Sequence, residues 1–361
     1  MVARHPTRTV LIAGGAAAVL IGGITAFALS DNSGSKPVAT GTPTPRTSAS
    51  PTPTPTPTPA PSRTTKPAPK RPAVNPLTGV GPAPSGPVVA VKIDDTDNGR
   101  PSVGLEQADV VYIEQAEGGL TRMLAVFGTN KPTVEAVRSV RASDAELLGQ
   151  YGPIALVASG GGGDSLPTLD KSILRGVIND RGGPGFFRDG GRSAPYNLGA
   201  NLSQVATATR TAAARDVGFR WAAHDPRLLR ATRAGAVNTV VGGTPVTFRW
   251  DLASHRYLRT INGSVLHVAN GSGVSTPNVL VQLCRVSTNP ADVDVAGNPS
   301  QYTHSVGSGR AVLFRDGRRI EGTWKRATAA SPTSFVDRRG TPLTLAPGGA
   351  YVVLASTGAP V

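Results

Sequence analysis

The sequence predicts an α+β fold, with a mixed α/β N-terminal domain over 86–218 and a β-rich C-terminal domain over 219–361. Three observations carry this. Between Val88 and Gln150, short apolar runs are separated by Pro and Gly and interleaved with helix signals. After residue 219 the texture changes to short apolar segments alternating with turns, at the spacing of a β-rich domain. Before about residue 85 the only sizeable apolar stretch is a single uninterrupted run, so the fold belongs to the last ~280 residues, enough for one large or two medium cores.

That early run, Val10 to Leu29, has no charged residue, and it follows Arg4, His5 and Arg8. Its twenty residues span a bilayer core of about 30 Å as a helix. The flanking charges place its N-terminus inside and the rest of the chain outside. It reads as a signal-anchor, giving a single-pass protein of the plasma membrane; cleavage after the small-x-small stretch Ala26-Phe27-Ala28 would instead release a secreted chain. Residues 31–85 are a Pro/Thr-rich disordered linker, with SASPTPTPTPTPAPS favouring extended polyproline II. The formal net charge is +14, but residues 1–74 hold eight of the 37 basic residues and one of the 23 acids, leaving 29 against 22, a net of +7. With no concentrated basic stripe, the folded part is not expected to bind nucleic acid. One cysteine, Cys284, excludes an internal disulfide framework and a cysteine-rich metal site.

In the first region VVAVKID (88–94), ADVVYIEQ (108–115), LTRMLAVFG (120–128) and TVEAVRSV (133–140) read as strands. Ser143 and Glu146 form a capping-box pattern that starts a helix at SDAELLGQY. GPIALVASG (152–160) is another apolar run, Leu169 to Val177 a short helix, and Asn201 to Val217 a longer one with Leu202, Val205 and Ala206 at helical spacing and Ser203 as a cap. In the second region the strands are VTFRWD (246–251), HRYLRTI (255–261), SVLHVA (264–269), NVLVQLC (278–284), AVLFRDG (311–317), RRIEGTWK (318–325) and YVVLAS (351–356), with Asp316-Gly317 as a hairpin turn.

Charged residues collect at the ends of the first strands. Asp94, Glu114 and Glu117 are the candidate catalytic acids, since carboxylates at strand ends can act as an acid–base pair or hold a cation. Arg138, Arg141, Arg122 and Arg100 are the candidate anion-binding residues, because each guanidinium offers a planar fork of donors to carboxylate or phosphate. The plainer alternative is that these acids and arginines pair with one another. Gly160 to Gly163 lacks the Lys-Ser/Thr ending of a phosphate loop, so no nucleotide is expected; it reads as a loop that needs positive φ or close approach. Trp324 and Trp250 are candidate stacking platforms for a ligand, with burial in a small β core as the commoner role. The histidines are too scattered for a metal site, and no cofactor is expected.

The ordered motifs ID-x(5)-RP-x-x-GL-x-x-ADVVY, EGGLTR-x-LAVF, VRS-x-R and APYNL, continued by NG-x(3)-H, NVLVQ, GTWKR and LAPGG-x-YV, resemble the bacterial exported domain-of-unknown-function 3048 family, the YerB-like lipoproteins, over roughly 75–361. The resemblance implies an envelope location and two consecutive domains, and brings no activity with it. Val140 stands for an alanine, Tyr196 for a histidine, and Ala158-Ser159-Gly160 lacks a histidine of that pattern, which weighs against an enzyme. The leading expectation is an extracytoplasmic protein that binds or scaffolds on an anionic cell-wall component. The alternatives are a cell-wall hydrolase or transferase using the carboxylate/arginine site, and a protein-interaction subunit of an envelope assembly.

Overall fold

The computed structural model describes residues 73–294 and 297–361. The expected membrane segment 10–29 and nearly all of the linker lie outside the described residues; among the described residues no helix is long and apolar enough to cross a membrane.

The apolar runs of both halves build one mixed eleven-stranded sheet. Its centre is β1 (Val89–Asp94), β2 (Val110–Gln115) and β3 (Thr121–Phe127), in the order β2-β3-β1 with both pairings antiparallel. Outside β1 lie Ala155–Ala158 and then Arg175–Ile178, both parallel. Outside β2 the sheet continues through Ala350–Ser356, Asn278–Cys284, Gly307–Arg315 and Arg318–Arg326. The step from one half of the chain to the other is the parallel pairing of Val110–Ile113 with Ala350–Val353. Both faces of the sheet are covered, which is why its strands read as continuous apolar runs instead of alternating ones. Val89, Val91, Ile93, Val111 and Val353 face one core, shared with Phe248 and Tyr257 of a second, five-stranded sheet. Val88, Ala90, Tyr112, Leu124 and Val352 face the other, with Leu147 and Leu148 of α1 (Ala142–Leu148). The turn Asp316-Gly317 has φ of 51° and 66°, the geometry of the tight hairpin the sequence predicts.

Strand dominates, and the helices are shorter than expected. α1 begins one residue before Ser143: its cap is Arg141, whose backbone N–H donates to Asp144 Oδ2 at 2.8 Å, so Ser143 and Glu146 are not the capping pair. Of 169–177, only the tail of α2 (Ser165–Asp170) is helical, and Arg175–Ile178 is a strand. The long helix 201–217 shrinks to α3 (Leu202–Thr209), capped by the Asn201 side chain instead of Ser203. Arg210 turns to φ 48°, and the backbone beyond is taken up by tertiary bonds, Ala212 N–H to Pro153 O and Val88 N–H to Ala212 O. The strand expected at 133–140 keeps only Thr133–Val134. Ala136 then takes φ 55°, and the chain crosses to the end of β1, with Arg138 N–H donating to Lys92 O.

Candidate functional site

β1 ends at the sheet edge where Ala155–Ala158 and Arg175–Ile178, running parallel to it, also end. Carboxyl ends of parallel strands leave a crevice where loops diverge. Asp94, fully buried, closes β1 there. Its Oδ1 accepts from the Thr96 N–H at 2.7 Å and the Thr96 hydroxyl at 2.5 Å. Its Oδ2 faces two guanidiniums, Arg138 Nε at 3.3 Å and Arg122 Nη1 at 3.5 Å, and makes no hydrogen bond. Arg122 reaches it because the β1–β3 register sets Arg122 opposite Asp94. Arg138 reaches it because of the crossing at Ala136. The Arg138 guanidinium lies 5.0 Å from the centroid of the Tyr196 ring. Burial and the Arg122 charge lower the Arg138 pKa.

Arg141 pairs instead with Glu117, and its Nε is 3.8 Å from Asp292 Oδ2. Burial works against both partners, yet the contact holds the Glu117 carboxyl below its ordinary range and the guanidinium above its own. Asp292 belongs to a hairpin (Val286–Val293 with Pro299–Thr303) that packs on the glycine loop and accepts from the Ser165 hydroxyl. Side chains are barred from that loop: a Cβ on Gly162 would sit 2.4 Å from Asp292 Oδ1, and one on Gly163 1.9 Å from Ala291 O. The run of glycines is there for close approach.

Next to Asp94, Asp95 turns to the other side. It is held by Arg259 Nη2 at 2.6 Å, the Thr121 hydroxyl at 2.7 Å and Arg100 Nη2 at 3.3 Å, and Arg100 also pairs with Asp97. Burial opposes the charge, but Arg259 and Arg100 keep the Asp95 carboxyl below its usual range. Asp95, Arg100 and Arg259 line a cleft of about 460 Å³ between this loop and the second sheet.

Glu114 does not join either group. With Lys92 and Asp144 it forms a buried triad on the same face of the sheet as Asp94, across β3 from it, Lys92 Nζ lying 2.8 Å from Asp144 Oδ1 and in contact with Glu114. Burial and the neighbouring Asp144 push the Glu114 carboxyl up to about 8, against the pull of Lys92. Each candidate acid meets its own cation, Asp94 with Arg122 and Arg138, Glu117 with Arg141, Glu114 with Lys92, and the strand register sets Asp94 and Glu114 on either side of Arg122.

Of the two tryptophans, Trp324 is buried and is no stacking platform, while Trp250 is half-buried. Trp324 is 2 % exposed and its indole N–H donates to Leu283 O at 2.9 Å, so its faces are spent in the core. Trp250 packs against Tyr257 at a ring distance of 5.0 Å and against Gly317. Two functional-looking residues escaped the sequence reading, Lys92 and Arg259. Both sit inside apolar strands, and Arg259 shares the parity of buried Tyr257, which was the available signal.

Residues 77–216 match the family model described as "Protein of unknown function (DUF3048) N-terminal domain", and 236–352 match the corresponding C-terminal domain. The chain is 27 % identical over 253 residues to "Putative lipoprotein YerB" of Bacillus subtilis (strain 168), spanning 66 % of this chain and 72 % of that one. A crystal structure of the YerB protein from Bacillus subtilis is similar with a TM-score of 0.65 at 22 % identity, covering 78 % of this chain and 96 % of that chain, which is a likeness of fold.

Proposed function

The chain belongs to the DUF3048 family, and from that premise we propose that it is an exported envelope protein that binds an anionic cell-wall component through Arg122 and Arg138. The observation that carries this is the convergence of two guanidiniums on the single oxygen Asp94 Oδ2. Arg122 spends one side-chain donor, on Thr121 O at 3.3 Å, and Arg138 makes no side-chain hydrogen bond among the described residues. A carboxylate or phosphate entering the crevice finds both forks with donors to spare and at least partly open to solvent, at 11 % and 20 % side-chain exposure. Arg141, committed to Glu117, flanks the site, while Arg100 pairs with Asp95 and Asp97 at the other cleft. The polymer's own chemistry, carboxylates of peptide stems or phosphodiesters, matches the guanidinium forks. A single-pass anchor at 10–29, or secretion after cleavage near Ala28, would deliver the domain to that polymer. A hydrolase is less well supported, because each of its candidate acids is met by a cation.

The test is sedimentation of the full chain with isolated cell wall, comparing the natural protein, Arg138→Ala, Arg122→Ala with Arg138→Ala, and Arg181→Ala as a surface control. The double variant, made together with Asp94→Asn so that no buried carboxylate is left unpaired, is expected to bind at least about tenfold more weakly while still folded, and Arg181→Ala to bind normally. Equal binding by all forms, or none by any, refutes the reading.

A further inference from the structure

The cation of the buried triad is a lysine, and this chain rarely uses one. Seven of its 37 basic residues are lysines. Among the described lysines Lys92 alone is buried, whereas the other cations with almost no exposure, Arg259, Arg315 and Arg326, are arginines, the side chain suited to a fixed buried ion pair. Unlike a guanidinium, a lysine amine becomes a nucleophile once it gives up a proton. Lys92 Nζ donates to two carboxyls, Asp144 Oδ1 at 2.8 Å and Glu114. All three side chains are at most 1 % exposed. One cation between two acids leaves one negative charge too many for a site shut off from solvent, unless one acid keeps its proton. Glu114 is that acid. Burial and Asp144 hold its proton on, its carboxyl hydrogen-bonds to Asp144, and its Oε2 is buried with no donor facing it. Asp144 is fixed through its other oxygen, Oδ2, which accepts from the Arg141 N–H at 2.8 Å at the start of α1. An amine, a carboxyl and a proton-carrying acid are thus held together by β1, α1 and β2.

We propose that the triad is a self-modifying site, in which Lys92 Nζ and Asp144 Cγ close an amide cross-link between β1 and α1 with loss of one water. Glu114 passes its proton to Asp144 and takes one from the Lys92 ammonium, which sets a neutral amine against a neutral carboxylic acid. Nζ attacks Cγ, the N–C bond forms, and the carbonyl electron pair moves onto oxygen. Glu114 then protonates the Oδ1 hydroxyl, which leaves as water while the carbonyl re-forms, and takes its proton back from the nitrogen. Ammonium and carboxylate become amide and water, so atoms and charge balance and Glu114 ends as it began. Oδ2 keeps its bond from Arg141 throughout. Burial lowers the Lys92 pKa, but Asp144 and Glu114 outweigh it and hold the ammonium, which is why the reaction needs a proton carrier in contact with Nζ. In water the two groups stay ionised and do not condense. Here their contact supplies an effective concentration on the order of 10⁵–10⁸ M, and the product replaces a buried ion pair, costly to desolvate, by a neutral amide. The single buried cysteine leaves the chain no internal disulfide, and this bond ties together residues 52 apart in sequence. It does not depend on the Arg122–Arg138 reading.

The test is a tryptic digest of the purified full chain, read by mass spectrometry. Trypsin does not cut after an amidated lysine. The expected product is one branched peptide, uncut between Lys92 and Ile93, joined to the peptide that contains Asp144 and lighter than the two together by one water. Fragment ions are expected to place the bond between Lys92 and Asp144. Reading peptides instead of the whole mass makes the result independent of cleavage near Ala28. Glu114→Gln removes the proton carrier at similar shape and is expected to slow the joining by about a hundredfold or more, leaving mostly separate peptides from a chain that still melts cooperatively. The digest of the natural protein decides the proposal whether or not that variant folds. Free Lys92 and Asp144 peptides from the natural protein, even after long incubation at neutral pH, overturn it and leave the triad a static set of ion pairs. A bond from Lys92 to Glu114 overturns it too. Joining as complete in a folded Glu114→Gln variant as in the natural protein overturns the part given to Glu114.

Discussion

Glu114 and Arg259 illustrate how a buried charge is tolerated only through its partners. The Glu114 carboxyl holds its proton up to about pH 8 because burial and Asp144 disfavour its ionised form. An unfolded chain releases that proton near the ordinary glutamate value of about 4.3. Between those two values the folded chain binds more protons than the unfolded one, so stability falls as pH rises through that window. Glu114→Gln keeps the shape without the titration and is expected to abolish this fall, read as urea midpoints at mildly acidic and mildly alkaline pH; an unchanged slope refutes the assignment. Asp95 has the opposite sign. Its lowered pKa contributes stability above the unfolded value and loses it as pH falls through the folded one. Arg259→Met leaves Asp95 without its closest cation, an expected cost of about 3–5 kcal/mol in denaturant unfolding, partly recovered by adding Asp95→Asn. The acids and arginines of this region are legible in the sequence, but not their pairing, since Asp94 and Arg122 meet only through the β1–β3 register.

Strands buried on both faces could be placed closely; the helices, and the strands expected at 133–140 and 264–269, could not. The apolar runs at 88–94, 120–128, 278–284 and 351–356 match observed strands to within a residue or two at each end, because burial on both faces leaves no polar alternation to misread. The helix 201–217 failed because its second half exchanges helical bonds for tertiary ones with Pro153 and Val88, a competition local periodicity does not register. The glycine loop belongs to the same scale. Gly163 has φ 43° and stands against Ala291 of the hairpin. Gly163→Ala is expected to cost about 2 kcal/mol or more and to push that hairpin off the loop. Limited proteolysis should then cut within 286–303 faster than in the natural protein, and an unchanged digestion pattern would show that the contact does not hold the hairpin.

The sheet crosses the boundary at 218/219 that the change of sequence texture marks. The family models also divide there, between 216 and 236, while β2 has β3 on one side and Ala350–Ser356 on the other. Cutting the chain at 218 would strip β2 of a whole apolar neighbour and expose core residues such as Val110 and Val111. A fragment of residues 73–218 is expected to show no cooperative unfolding, and the full chain one calorimetric transition; a fragment that melts sharply by itself would refute this coupling.

What the sequence by itself determined is where the fully buried strands run, which charged residues end them, and the motifs that mark the family, because each depends on a few adjacent residues. What only the tertiary structure decided is which acid meets which arginine, that Trp324 belongs to the core, and that the two halves share a sheet. Those outcomes rest on strand order and register between segments as far apart as Val110 and Ala350. Pairing energies across such distances in sequence depend on which strands become neighbours, and local pattern carries no information about that choice.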